Sequence, residues 1–260
     1  MPLSKIQKNN IKGKLFNTLR EKFKNYKPET NSMPFYTKLL GKDRMALFSF
    51  IHSLNTSFGT AIFENLVIEI GKERFKKVDK QVKAENIITS EAQEVINDII
   101  DNLRSANVKP DKHKETNMIK KVCREGKTKE IKLTKIDIYL EDFDNNIYLI
   151  DLKTAKPNKG EFQNYKKTLL EWTATNLYKN YNSKVYSLIA IPYNPYAPQP
   201  YERWTLAGML DLDNELKVAE EFWDFIGGEN SYNDILLCFE EVVIEMREEI
   251  DEYFSKFKDM

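Results

Sequence analysis

The sequence predicts an α/β fold with a helical N-terminal part, and three observations predict it. Apolar residues recur at helical spacing from Ile6 as far as Arg104. At Ile136 the hydrophobic period drops from about 3.6 to 2. Further on, Val185 to Ile191 (VYSLIAI) is a nearly continuous apolar run of the kind that forms a buried strand. The chain has 260 residues, enough for one large domain or two small ones with a proper core. Its 41% hydrophobic and 31% charged residues suit a folded protein in water.

The elements follow in order. Residues 4–26 set Ile6, Ile11, Leu15, Leu19 and Phe23 on a helical stripe with lysines between them, until Pro28 and Pro34 break the pattern. A second helix runs from Asp43 to Ser53. Ser57 caps a third, Phe58 to Phe75, whose stripe is Phe58, Ile62, Leu66 and Ile70. Ser90, followed by Glu91 and Glu94, opens a helix to Arg104. Asn107 to Lys129 is polar and lysine-rich and reads as a loop or irregular hairpin. Ile136 to Leu140 and Ile147 to Leu152 alternate at period 2 around the turn residues DFDNN, Asp142 to Asn146, which makes a β-hairpin. Phe162 to Tyr178 is helical and precedes the apolar strand. A Tyr/Pro-rich loop follows, then a short strand at Trp204 to Leu210 and helices at Glu220 to Ile226 and Tyr232 to Phe257. Trp172 and Trp223 read as core.

Charge sharpens the picture. Lys+Arg 40 against Asp+Glu 40 gives a formal net charge of zero, which by itself argues against a phosphate-binding protein. The distribution argues otherwise. Residues 1–47 hold eleven basic and three acidic side chains, and residues 109–135 hold ten and four. Residues 211–260 carry sixteen acids against four bases. A positive first half and a solvated acidic C-terminal part sum to zero.

Several chemistries are excluded. No apolar run reaches the roughly 18 residues of a membrane span, and the N-terminus MPLSKIQKNNIKGK lacks a signal-peptide core, so a cytoplasmic protein is expected. Cys123 and Cys238 are isolated, and His52 and His113 make no zinc-ligand spacing. Gly126-Lys127-Thr128 mimics the end of a phosphate-binding loop, but Lys121 stands where its first glycine belongs. Carboxylates with lysine remain.

Those residues meet in KIDIYLEDFDNNIYLIDLKTAK, Lys135 to Lys156. Asp151 and Lys153 are two apart on a strand and share a face, and hairpin pairing brings Asp137 close to Asp151. Two neighbouring carboxylates bind Mg²⁺, and a lysine beside them can position a water and offset charge on a phosphate. The acid-x-Lys spacing alone carries nothing, because a composition this charged produces about five such matches by chance. Its setting carries the weight: an acid and a lysine leaving one face of an apolar strand cost desolvation unless they are used. The alternative is a surface ion pair on an edge hairpin.

This arrangement resembles the PD-(D/E)xK nucleases, with Asp137 as the first acid and Asp151-Leu152-Lys153 as the D-x-K element. The proline of the motif is absent, since Lys135 and Ile136 precede Asp137. The resemblance implies a mixed central sheet flanked by helices, and a helix before the hairpin carrying a further acid. Phe58-Gly59 with Glu64 matches that helix, with Glu69 as the second choice; on a helical wheel Glu64 falls away from the apolar stripe, where the alternative is a solvated glutamate. The chain further resembles the TdeIII-type group of type II restriction endonucleases through these motifs and Glu221-Phe222-Trp223 with Gly227-Gly228. That implies a Mg²⁺-dependent homodimer cutting double-stranded DNA at a short, partly palindromic GGNCC-like site, with a cognate methyltransferase protecting host DNA. Asp137, Asp151 and Glu64 would hold the metal and Lys153 would assist the water. Lys156, Lys159, Gln163, Tyr193 and Arg203 are the candidate DNA contacts; the alternatives are solvated lysines, a surface glutamine and a Tyr/Pro-rich loop that is a packed connector or dimer contact. On this reading residues 1–56 are a DNA clamp or dimerisation region and 57–260 the catalytic domain. A structure-specific repair or recombination nuclease and a non-catalytic DNA-binding protein of the same fold are the alternatives.

Overall fold

A computed structural model describes residues 2–153, 161–201 and 204–257. In chain order the elements begin with α1 (Lys5–Asn25), α2 (Pro34–Leu40), α3 (Lys42–Ser57) and, after a π-helical turn at Phe58–Phe63, α4 (Glu64–Gly71). Next come β1 (Lys77–Val82), β2 (Ile87–Thr89), α5 (Ser90–Arg104), α6 (Lys112–Val122), β3 (Thr128–Glu130), β4 (Ile136–Glu141) and β5 (Asn146–Leu152). The remainder is α7 (Phe162–Lys179), β6 (Lys184–Ile191), α8 (Trp204–Ala207), α9 (Leu212–Glu215), β7 (Leu216–Val218), α10 (Glu220–Gly227), α11 (Ser231–Glu245) and α12 (Arg247–Ser255). Two compact units result: Met1–Ile70 with Gly227–Met260, and Gly71–Ile226. Among the described residues no helix is long and apolar enough to cross a membrane.

The first unit is helical. Ser4 and Gln7 form a capping box that starts α1, and Ile11 and Leu15 are buried beneath it. The basic side of α1 meets the acidic C-terminal helices: Lys8 pairs with Asp234 at 2.6 Å, Lys12 with Glu241 at 2.9 Å and Arg20 with Glu249 at 2.7 Å. The acidic C-terminal part is therefore not simply solvated; it neutralises part of the basic N-terminal segment. Phe23, Phe50, Tyr253 and Phe254 close the other end as an aromatic cluster. Ser57 does not cap a new helix. Its backbone is helical and its hydroxyl donates to the Ser53 carbonyl, so the helix runs on from α3 into the π turn and α4, ending at Gly71 rather than Phe75. The single C-terminal helix expected from Tyr232 to Phe257 is two helices, because Met246 leaves the helical region at φ −95°, ψ 6°.

The second unit holds a five-stranded mixed sheet in the order β1-β4-β5-β6-β7, a restriction-endonuclease-like core. The β1–β4 and β4–β5 pairs are antiparallel, and β5–β6 and β6–β7 are parallel. On β4 the residues Ile136, Ile138 and Leu140 are buried and alternate with half-buried Asp137, Tyr139 and Glu141. The DFDNN turn is built on Asp142, whose Oδ1 accepts from the Asp144 and Asn146 backbone N–H groups, while Asn145 takes φ 60°. The helix α7 covers one face, with Trp172 fully buried; Trp223 on α10 is buried too and donates to the Pro192 carbonyl.

Three local expectations change. Thr89 rather than Ser90 caps α5, its hydroxyl accepting from the Ala92 N–H. Within 107–129, α6 forms behind the N-cap Asp111; its inward face is Lys112, Glu115 and Ile119, so charge concealed the helical stripe. Trp204 to Ala207 is helical, and the last strand of the sheet is instead Leu216–Val218.

Candidate active site

The hairpin β4–β5 brings its two acids face to face. One step beyond the last ladder pair, Ile138 with Ile150, Asp137 stands opposite Asp151. The backbone ladder ends there because Asp137 itself takes over: its Oδ2 accepts from the Leu152 N–H at 2.9 Å. Its Oδ1 accepts from the Gln81 amide on β1 at 3.0 Å. On the other side the Lys153 N–H donates to the Ala190 carbonyl, which keeps β5 beside β6 through the D-x-K segment. 

That bond measures 2.9 Å.

Asp151 is buried, and the surroundings set its ionisation. Burial pushes the carboxyl up, the Lys153 ammonium 2.7 Å away pulls it down, and the facing Asp137 raises it again, to about 6. Lys153 in turn lies over the ring of Tyr165 on α7, 4.7 Å from its centroid. The Tyr165 hydroxyl donates to Glu161, and burial, that carboxylate and then Asp151 push its phenol well up. Asp137, Asp151, Lys153 and Tyr165 thus lie together in the second unit.

Behind Tyr165 lies a buried ionic group. Lys166 on α7, 0% exposed, sits 2.5 Å from both Glu115 on α6 and Glu215 on α9. Lys112 is 3.1 Å from Glu215 and donates to Ser187 on β6 at 2.6 Å. Burial pushes the Lys112 ammonium down and the Glu115 carboxyl up; against its own burial, Lys112 and Lys166 hold Glu215 down. The group fastens α6, α7 and α9 to the strand beside Asp151.

The remaining expected site residues fall as follows. Glu64 opens α4 in the first unit and is 2% exposed, so it is not a solvated glutamate. Glu69, one helical turn further, accepts from Asn10 at 2.6 Å and pairs with Lys14 at 3.1 Å. Gln163 is exposed in the first turn of α7, and Tyr193 is 42% exposed after β6. Lys156, Lys159 and Arg203 lie outside the described residues. Sequence reasoning missed Gln81 and Tyr165. Tyr165 lies three residues after the buried Phe162, the only signal that it faces inward; Gln81 sits on a strand that its polar sequence, KVDKQV, conceals.

The donor set suits a hard divalent cation. Asp137 and Asp151 are oxygen ligands on facing strands, and the raised ionisation of Asp151 records a buried negative charge that a cation would relieve. Among the described residues no group of three or more His, Cys, Asp and Glu side chains is placed to hold a metal, so water, phosphate oxygens or a further ligand would complete the shell.

Comparison with known proteins agrees with this architecture. The family model described as type II restriction endonuclease, HinfI, matches residues 3–243. The chain is 28% identical to the type II restriction enzyme MjaII of Methanocaldococcus jannaschii, over 89% of this chain and 68% of the relative. It is 25% identical to the type II restriction enzyme HgiCII of Herpetosiphon aurantiacus, over 84% of this chain and 80% of the relative. HgiEI of the same organism is 22% identical over 84% of this chain and 79% of its own length. The TdeIII-type resemblance and the HinfI match meet at the level of type II restriction endonucleases.

Proposed function

The chain belongs to the HinfI type II restriction endonuclease family, and from that premise we propose that it cuts double-stranded DNA with Mg²⁺ at the Asp137–Asp151–Lys153 site. The observation that carries this reading is the opposition of Asp137 and Asp151 with Lys153 bonded to the second acid. Asp137 and Asp151 would hold the metal. Glu64 is proposed as the further acid, with Glu69 as the second choice, as the family resemblance implies. Bound there, Mg²⁺ would lower the pKa of a water and offset charge on the phosphate. Lys153 would orient that water for in-line attack at phosphorus, and breaking the P–O3′ bond leaves 5′-phosphate and 3′-hydroxyl ends.

Recognition is proposed at a short, partly palindromic GGNCC-like site by a homodimer, since a two-fold site is matched by a two-fold protein. Lys156, Lys159, Gln163, Tyr193 and Arg203 are proposed to contact DNA, residues 1–56 to clamp it or join the dimer, and residues 57–260 to cut. A cognate methyltransferase would protect host DNA.

Digestion of unmethylated plasmid with Mg²⁺, followed by sequencing of the fragment ends, tests this directly. Discrete fragments with a common palindromic end support it. Cutting confined to branched or nicked DNA would mark a structure-specific nuclease, and DNA binding without cutting at any metal concentration would mark a binding protein. Lys153→Ala is expected to bind the same fragments and to cut them roughly 10²–10³-fold more slowly.

A further inference from the structure

On β1, a hydrogen bond ties the Gln81 side chain to the proposed metal-binding pair. Lys80 pairs with Ile138 and Val82 with Ile136, so Gln81 stands opposite Asp137. Its backbone is left-handed, at φ 53°, within a strand. Such a backbone favours glycine, and a glutamine there is disfavoured unless its side chain compensates. The compensation is visible: the amide donates to Asp137 Oδ1 at 3.0 Å, while the Leu152 N–H donates to Oδ2 at 2.9 Å.

We propose that Gln81 is a positioning residue, whose amide fixes the carboxylate plane of Asp137 for a divalent cation shared with Asp151. The inference rests on the metal-site reading given above. Each carboxylate oxygen has two lone pairs, and one donor on each oxygen fixes the plane while sparing lone pairs for a metal. A neutral amide suits this task better than a cation. Lysine or arginine at position 81 would neutralise Asp137 and compete with the metal, whereas the amide orients the carboxylate and leaves its charge intact.

The left-handed backbone supplies an unusually clean test. Gln81→Gly deletes the amide but suits the local conformation, so thermal stability is expected to hold or rise. Mn²⁺ binding to the full-length chain, followed by electron paramagnetic resonance of the free ion, is expected to weaken about 10–100-fold. The Mg²⁺ concentration for half-maximal cutting should rise in parallel, with cutting at saturating Mg²⁺ changed far less. Metal-free DNA binding should not change. If Gln81→Gly melts early, Gln81→Asn carries the same test, because asparagine also tolerates the left-handed region and its amide is one methylene short. Asp137→Asn is the reference. If it abolishes Mn²⁺ binding while both Gln81 variants bind as tightly as the parent, the positioning role is wrong and the metal site stands. If Asp137→Asn also binds Mn²⁺ normally, the metal-site reading itself fails.

Discussion

Strand β5 carries the Asp151 carboxyl into a buried position, and its ionisation equilibrium records the cost. Burial, offset in part by Lys153 and reinforced by Asp137, raises the group from 3.8 to about 6. Between those values the folded chain binds more protons than the unfolded one. Stability of the metal-free protein therefore falls as pH rises from about 4 through 6, by roughly 3 kcal/mol for a shift of this size. Urea unfolding across that window is expected to show the decline, and Asp151→Asn is expected to flatten it. An equal slope in both proteins would refute the assignment. Tyr165 offers a second prediction at this scale. Tyr165→Phe keeps the ring beneath Lys153 and should retain most cutting, whereas Tyr165→Leu removes the cation–π contact and should slow single-turnover cutting about 3–10-fold, for a contact worth about 1 kcal/mol. Alternation along the hairpin made Asp137, Asp151 and Lys153 legible, because a strand's period of 2 places them on one face. Neither Gln81 nor the ring under Lys153 was legible, since both come from other elements.

Among elements, α6 is the instructive one. Helices are recognised by an apolar stripe, and α6 turns Lys112 and Glu115 inward beside Ile119. The charges are tolerated there only because Lys166 and Glu215 complete them. Lys166→Met should therefore leave Glu115 short of its partner and destabilise the chain by about 3–5 kcal/mol, measured by urea unfolding. Lys166→Met with Glu115→Leu should recover much of the loss, since a buried pair exchanged for apolar residues is often neutral. A double variant as unstable as the single one would sink this account. The same logic covers Glu64: periodicity placed it off the apolar stripe of its helix, yet it is 2% exposed, because burial of a helix face depends on what packs against it.

Over the whole chain the charge sum of zero has a partly structural origin. The basic α1 and the acidic α11 and α12 belong to one unit and pair there through Lys8, Lys12 and Arg20. Only part of the N-terminal positive charge is left for a phosphate backbone, which moderates the expectation that the first half faces DNA. Asp234 is the buried member of this seam, accepting from the Leu3 N–H at 2.8 Å and pairing with Lys8. Asp234→Ala is expected to cost about 1–3 kcal/mol and to raise hydrogen exchange at the start of α1. Unchanged exchange there would show that the seam does not hold the helix.

The amino-acid sequence by itself determined the helices α1, α5 and α7, the hairpin, the apolar strand β6 and the three residues proposed to carry the chemistry, because period and turn residues are local properties. Tertiary structure decided the rest. The joining of residues 1–70 with 227–260, the inward charges of α6, the π turn in place of a cap at Ser57, and the hold of Gln81 on Asp137 all depend on partners distant in sequence. Local spacing carries no information about which distant group will satisfy a buried charge, and packing supplies that answer.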